Sequence, residues 1–336
     1  MVEKYQVKPA DVVLTIPKNF PKPVYDFKKN PLSVEKFELG RKLFYDPLLS
    51  KDTTISCASC HEHYASFGHI GHQISHGIYS IFGTRNVPTL HNLIWADKLM
   101  WDGRLNNLEN QAINPITNPI EMGENMDNVV KKLKENKEYT FLFEKAFKDK
   151  TINQENVLKA LAQFTGMMVS TNSKYDRFIN GEEQFTEQEL NGLKVFRQFC
   201  NDCHKEPLFT DFSLRNNGLK PDTSLKDRGR ALTTGLEKDN YLFKVPSLRN
   251  IEFTYPYMHD GRFRQLKTVI SFYANTKNHN ETSDPRIKKI SAISESEKAD
   301  LLVFLKTLTD TTFLKNPKFS DPNFNYQAID MDDVMR

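Results

Sequence analysis

The chain has 336 residues, a length that suggests two domains of ordinary size. Its 46 Lys+Arg against 43 Asp+Glu leave a net charge of +3, without the basic excess of a nucleic-acid or polyanion binder. Hydrophobic residues make up 38%, enough for globular cores, and no apolar run approaches the roughly 18 residues of a transmembrane segment.

The predicted elements are helices separated by long irregular stretches. Ser33 opens a segment with Val34, Phe37, Leu43 and Phe44 on one face, leading toward Cys57-Ala58-Ser59-Cys60-His61. Val157, Leu158, Leu161, Phe164 and Met168 form the apolar stripe of a helix that closes the first half. Asn180-Gly181-Glu182-Glu183 reads as an exposed turn, which divides the chain into residues 1–180 and 181–336. Thr186 with Glu189 forms a capping box ahead of Leu190, Leu193 and Phe196, just before Cys200-Asn201-Asp202-Cys203-His204. Ser294 with Glu297 caps a last helix carrying Leu301, Leu302, Leu305 and Leu308. Between each cysteine pair and its closing helix the chain is rich in Gly, Pro and Asn. Long loops wrapped around a cofactor explain that composition better than strands do.

All four cysteines fall in the two C-x-x-C-H clusters, so none is left for a disulfide scaffold. C-x-x-C-H is the attachment signature of c-type haem. Two thiols add to the haem vinyl groups, and the adjacent His lies beneath the iron as proximal ligand. Zinc knuckles and thioredoxin-like dithiols are the competing readings. About 140 residues separate the two pairs, far for a four-cysteine zinc site, and a redox dithiol needs no following His. Two covalent haems are therefore expected. Bacteria attach haem c outside the cytoplasm, so the expected location is the periplasm. Met1-Val2-Glu3-Lys4-Tyr5-Gln6 carries no apolar leader, and a leader is expected to have been removed.

The halves also repeat. Val87-Pro88-Thr89-Leu90-His91-Asn92 matches Val245-Pro246-Ser247-Leu248-Arg249-Asn250 at an offset of 158 residues. Met100-Trp101-Asp102-Gly103-Arg104 matches Met258-His259-Asp260-Gly261-Arg262 at the same offset. The fold class expected is all-α: two cytochrome c-like haem domains related by internal duplication, with long loops.

Taken together, these residues resemble the bacterial dihaem cytochrome c peroxidases and their relative MauG. The resemblance runs from about Leu39 to Leu308. It rests on Leu39-Gly40-Arg41-Lys42-Leu43-Phe44-Tyr45-Asp46-Pro47, Arg85-Asn86-Val87-Pro88-Thr89-Leu90, Asn118-Pro119-Ile120-Glu121-Met122, and the two haem and repeat motifs. It implies a peroxidatic haem on His61 and an electron-storing or relaying haem on His204. It also implies that Trp101 is an electron relay between the haems, with a core aromatic as the plainer alternative. Glu121 and Gln111 match distal-pocket positions near the peroxidatic iron. Glu121 would move a proton between the two oxygens of bound peroxide, unless it is only a solvated loop carboxylate. Asn86, with the carbonyls of Thr254 and Pro256, matches a calcium site between the domains.

Two departures stand out. His-gated members block the resting peroxidatic haem with a distal His, but the matching position here, 23 residues before Trp101, is Ile78. Isoleucine cannot ligate iron, so an open five-coordinate haem is expected, with His76 ligation as the alternative. His69 and His72 read as lining a solvated loop or the pocket rim. The same members place an axial Met 14 residues after the His of the H-D-G segment, where this chain has Tyr273, as MauG does. A phenolate ligand favours ferric iron and lowers the reduction potential. Met258 is a rival ligand, and a packed aromatic is the bland reading of Tyr273. The first-half position equivalent to Tyr273 is Pro115, which offers no ligand.

The leading expectation is a peroxidase that reduces hydrogen peroxide at the His61 haem. Its electrons would come through the His204 haem from a small periplasmic donor, a cytochrome c or a copper protein. The second is a MauG-like enzyme that uses peroxide-derived high-valent haems to oxidise a partner protein. The third is a non-catalytic dihaem electron carrier.

Overall fold

A computed structural model describes residues 4–275 and 282–323; Met1–Glu3, the start of the segment read for a leader, lie outside it. Ser33 caps the first helix as expected, its hydroxyl accepting the Lys36 N–H at 3.2 Å. Helix α1 (Val34–Tyr45) buries Phe37, Leu39, Leu43 and Phe44. Four short to medium helices follow: α2 (Ile113–Thr117), α3 (Met126–Glu135), α4 (Lys137–Ala146) and α5 (Gln154–Gly166). α1 packs on α5, and the crossing falls on Gly40: a Cβ there would lie 2.0 Å from the Ala160 carbonyl oxygen. A glycine inside a helix costs about 1 kcal/mol. Each buried Phe or Leu of the stripe returns about 1.5–3 kcal/mol, so packing decides the outcome.

The second half repeats this plan. After α6 (Lys174–Ile179), the turn at Gly181 is exposed, with φ +76° and open space around it. α7 (Glu187–Phe199) starts at the Thr186–Glu189 capping box and runs straight into Cys200. Helices α8 (Ala231–Thr234) and α9 (Leu266–Ala274) punctuate the loops, and α10 (Glu295–Lys306) begins at the Ser294–Glu297 capping box. α7 and α10 cross at Gly192, where a Cβ would lie 2.1 Å from the Asp300 carbonyl oxygen. The buried stripe of α10 is Leu301, Phe304 and Leu305, continued by Leu308 beyond the helix; Leu302, expected on that stripe, is only partly covered. Phe304 takes the central place, packed against Phe196, Phe209 and Tyr175. The architecture is mostly helical with long loops. Regular sheet among the described residues is one antiparallel pair, β1 (Leu214–Arg215) with β2 (Phe243–Lys244). No described helix is long and apolar enough to cross a membrane.

The last described residues cross back. Phe313 and Leu314 of α11 (Thr311–Leu314), with Phe319, sit in the first core beside Phe37, Phe67 and Phe164. Arg41, fully buried, donates to the Ser320 carbonyl at 2.7 Å, and the Tyr45 hydroxyl donates to the Phe319 carbonyl at 2.6 Å. Asp310 anchors the crossing: its Oδ2 accepts Ser170 Oγ at 3.1 Å and the Thr171 and Asn172 N–H groups at 3.0 and 2.9 Å.

Local geometry recurs at the 158-residue offset. Asn92 and Asn250 both have φ +58°, and each precedes a 3-10 turn, Leu93–Trp95 or Ile251–Phe253. Leu99 bridges Leu105, and Tyr257 bridges Phe263. Met100 and Met258 are both left-handed, as are Gly103 and Gly261. Arg104 pairs with Asp102, and Arg262 with Asp260.

Candidate active site

Each C-x-x-C-H motif folds into one tight turn. Cys60 N–H and His61 N–H both donate to the Cys57 carbonyl, at 3.2 and 2.9 Å; Cys203 and His204 do the same to the Cys200 carbonyl, at 3.2 and 3.0 Å. Such a turn sets two thiols and an imidazole on one short stretch of backbone. Each ring is then oriented by a carbonyl, which can only accept. His61 Nδ1 donates to the Phe67 carbonyl at 2.6 Å, and His204 Nδ1 to those of Phe209 and Pro246 at 3.2 and 3.1 Å. Nε2 is left as the unprotonated nitrogen on both rings, the arrangement an axial imidazole needs. Burial drives the His61 imidazole down to about 4 and lowers that of His204, which keeps both neutral.

The thiols behave unlike redox or zinc cysteines. Burial pushes Cys57 and Cys200 up to about 12, and Cys60 and Cys203 to about 11, away from the thiolate range. All four are unpaired. Among the described residues no three His, Cys, Asp or Glu side chains converge on a metal position, so the two pairs do not meet in one zinc site. Thiols, tautomers and separation all fit two covalent haems.

A cavity of about 2010 Å³, including its open mouth, adjoins the second motif. Cys200, Cys203, His204, Tyr273, Met258 and Trp101 all line it. Large apolar walls with few polar groups suit a macrocycle. Both ligand candidates meet one amide that sequence reasoning missed: Asn217 Nδ2 donates to the Tyr273 hydroxyl at 3.2 Å and contacts Met258 Sδ at 3.5 Å. Burial pushes the Tyr273 phenol up to about 12, and the Asn217 bond opposes that rise. Nothing in the spacing of the motifs marks Asn217.

Trp101 is held at both ends. Its Nε1 donates to the Asn86 carbonyl at 2.8 Å, and its own carbonyl accepts the Lys244 N–H at 2.7 Å. Asn86 in turn donates its N–H to the His259 carbonyl at 2.7 Å and its Nδ2 to the Gln73 carbonyl at 3.0 Å. Asn86, Thr254 and Pro256 line the same cavity as Trp101. Next to them, Arg85 bonds both oxygens of Asp227 at 2.7 and 2.8 Å and reaches Asp102 at 2.7 Å, tying the two halves together. His259, the counterpart of Trp101, stacks on Phe243 with ring centres 3.7 Å apart.

Glu121 stands beside the first motif. Burial raises its carboxyl above the usual range, against the pull of Asn118 and Arg104, and its charge is among those that raise the Cys60 thiol. Asn118 Nδ2 donates to Glu121 Oε1 at 2.8 Å. The Glu121 carbonyl accepts the Ile78 N–H at 2.7 Å, and a Cβ on Gly77 would lie 2.2 Å from that same oxygen. Ile78 is buried in this contact. His76 lies close by, its carbonyl 3.6 Å from Cys60 Sγ and its Nδ1 buried without a hydrogen-bond partner. Its ring meets His72 edge-on with centres 4.7 Å apart, and His72 Nδ1 shares a 2.7 Å hydrogen bond with His69 Nε2. Gln111 is separate: it lines the Trp101 cavity and shares no hydrogen bond with Glu121. Pro115 sits in α2, where its carbonyl accepts the Met122 N–H at 3.1 Å.

Residues 34–184 match the family model for di-haem cytochrome c peroxidase. Over 297 residues the chain is 36% identical to the methylamine utilization protein MauG of Methylophilus methylotrophus, a match spanning 87% of this chain and 86% of that one. It is 35% identical over 290 residues to the cytochrome c551 peroxidase of Nitrosomonas europaea, spanning 83% and 81% of the two chains. The crystal structure of a MauG-like protein associated with microbial copper homeostasis aligns with a TM-score of 0.85 at 33% identity, over 92% of this chain and 99% of that one.

Proposed function

The chain belongs to the di-haem cytochrome c peroxidase family, an oxidoreductase acting on peroxide, and from that premise we propose that hydrogen peroxide is reduced to water on the His61 side while the His204 side passes in the electrons. The observation that carries this division is an asymmetry. Both imidazoles are presented alike, but the carboxyl beside the first motif, Glu121, is raised by burial, whereas Asp211 and Asp284 near the second are ion-paired with Arg215, and the second cavity brings the Tyr273 phenol and the Met258 thioether to one amide, Asn217.

When bound at His61, haem supplies the iron at which the peroxide O–O bond breaks. The overall reaction takes two electrons and two protons per peroxide and yields two waters. Glu121 handles the protons. Its raised affinity lets the carboxyl group take a proton from the near oxygen of peroxide and return it to the far one, so that water leaves rather than hydroxide. Asn118 holds Oε1, which keeps the other oxygen available for this exchange. Gln111 lines the Trp101 cavity, apart from Glu121, and its part in this reading is at the edge of that cavity, where Trp101 relays electrons between the two sites. Tyr273, whose hydroxyl accepts Asn217 Nδ2 at 3.2 Å, would hold the iron of the second haem on the side away from His204. Buried Ile78 in place of a distal His supports an open first site; His76 remains the ligand to beat, since its Nδ1 is unpartnered.

The Asn86 side-chain carbonyl with the carbonyls of Thr254 and Pro256, completed by water, is the calcium site of this reading. The recurrences at 158 residues support an origin by duplication, with residues 1–180 and 181–336 as the two haem domains. The compartment is the periplasm, where covalent haem and a small cytochrome c or copper-protein donor are at hand.

Ferric protein is mixed with hydrogen peroxide and the Soret band followed. An immediate change supports the open site; a response only after one haem has been reduced assigns the gate to His76. One observation favours a second reading, the oxidation of a partner protein: Tyr273 lines the His204 cavity, at the position where the resemblance to MauG implies a tyrosine. Recovery of an oxidised or crosslinked partner after peroxide treatment would establish it.

A further inference from the structure

Lys244 has a placement that this mechanism leaves unexplained. It lies on β2, two residues before the Pro246 carbonyl that orients His204, and it lines the cavity shared by Cys200, Cys203 and His204. Among the described residues no carboxylate forms an ion pair with Nζ, which lies over the Phe212 ring, 5.7 Å from its centroid. Asp97, the acid that acts on it, is already paired with Lys98 at 2.6 Å. An ammonium facing an apolar cavity without an anion is costly. Burial accordingly lowers Lys244 to about 8.

A second orphan lines the same cavity. His91 is 4% exposed, and its Nε2 is buried with no partner. Its Nδ1 shares a 2.8 Å hydrogen bond with Ser66 Oγ, and Ser66 Oγ already accepts Asn250 Nδ2 at 3.0 Å. In the tautomer in which Ser66 Oγ donates to His91 Nδ1, the ring proton sits on Nε2. Burial keeps that ring neutral, and the charges of Arg249 and then Lys244 add to the effect.

One ammonium and one N–H donor, both unpartnered, both in the wall of one cavity, call for a single carboxylate. We propose that Lys244 Nζ and His91 Nε2 anchor a propionate carboxylate of the haem carried by His204, an inference that rests on the dihaem reading above. Such an anchor would fix one rotation of this haem, and it places the Lys244 charge in the same cavity wall as Trp101, whose carbonyl accepts the Lys244 N–H at 2.7 Å. Charge-assisted bonds of this kind are roughly twice as strong as neutral ones.

The test compares the holoprotein with Lys244→Met, Lys244→Arg and His91→Phe. Haem content is measured by pyridine haemochrome, and each haem by resonance Raman spectroscopy and potentiometric titration. Two haems per chain are expected throughout. In Lys244→Met the propionate bending mode of the His204 haem should shift and its midpoint potential should fall, because losing the cation favours the ferric state. Lys244→Arg should retain both values, and His91→Phe should shift the mode. Two haems with an unmoved mode and potential in Lys244→Met overturn the anchor and leave the dihaem reading intact, as does a shift confined to the His61 haem. A parent chain with fewer than two haems overturns the reading beneath it.

Discussion

The role proposed for Glu121 rests on three neighbours. Asn118 fixes one carboxyl oxygen, Ile78 fixes the backbone carbonyl, and Gly77 lets the two loops touch. Glu121→Gln should slow O–O cleavage by about 10²–10⁴-fold, the usual reach of general acid–base catalysis, while peroxide still binds. Stopped-flow measurement of the cleavage step checks this, and an unchanged rate removes Glu121 from the mechanism. Because burial raises the Glu121 carboxyl, its basic form disappears as pH falls through that raised value. Cleavage should therefore weaken on the acid side, and the Gln variant should lose that dependence. At the second site, Tyr273→Met should raise the potential of the His204 haem, since a thioether favours ferrous iron more than a phenolate does. Potentiometric titration reads the change. An unmoved potential takes Tyr273 out of the coordination and leaves Met258, already on the same Asn217 amide, as the ligand.

At the scale of elements, the two halves rely on the same device, a helix leading into the cysteines and crossed at a glycine by the helix that closes the half. Gly192→Ala should push the Asp300 carbonyl and Phe304 of α10 away from α7, at about 1–3 kcal/mol. A lowered thermal midpoint with haem content retained is the expected result, and Gly40→Ala should behave alike against Ala160. These helices were legible beforehand because their signals are local: Ser33, the Thr186–Glu189 box and the Ser294–Glu297 box all sit next to the stripes they start. The crossings were not, since a glycine needed for close approach looks like any other until its partner, more than 100 residues away, is known. The same holds for the site. Cys57, Cys60, His61, Cys200, Cys203 and His204 declare themselves by spacing. Asn217, Asn118 and Lys244 gain meaning only through what the fold sets against them.

Across the whole molecule, the chain does not divide cleanly at the turn near Gly181. Tyr175 belongs to the second core although it precedes that turn, and Phe313, Leu314 and Phe319 belong to the first although they come at the end of the described chain. Removing residues 311–336 should expose the Phe37, Phe67 and Phe164 face and strip buried Arg41 of its carbonyl partner. Such a chain should bind hydrophobic dyes and melt earlier than the full protein, with the larger loss around the His61 site. Equal destabilisation of both haem environments would contradict this.

The crossing also bears on the order of events at birth. A chain emerges N-terminus first. The Cys57–His61 turn therefore appears long before the residues that seal the core beneath it. His63 shows the seam: its ring stacks on Phe67 and its Nε2 donates to the Phe313 carbonyl at 3.1 Å, a bond to a residue 250 positions later. For most of its emergence the first site has an unfinished floor and an accessible pair of thiols. Haem can be joined there while the wall is still missing, and the arrival of residues 311–320 then shuts the door behind it.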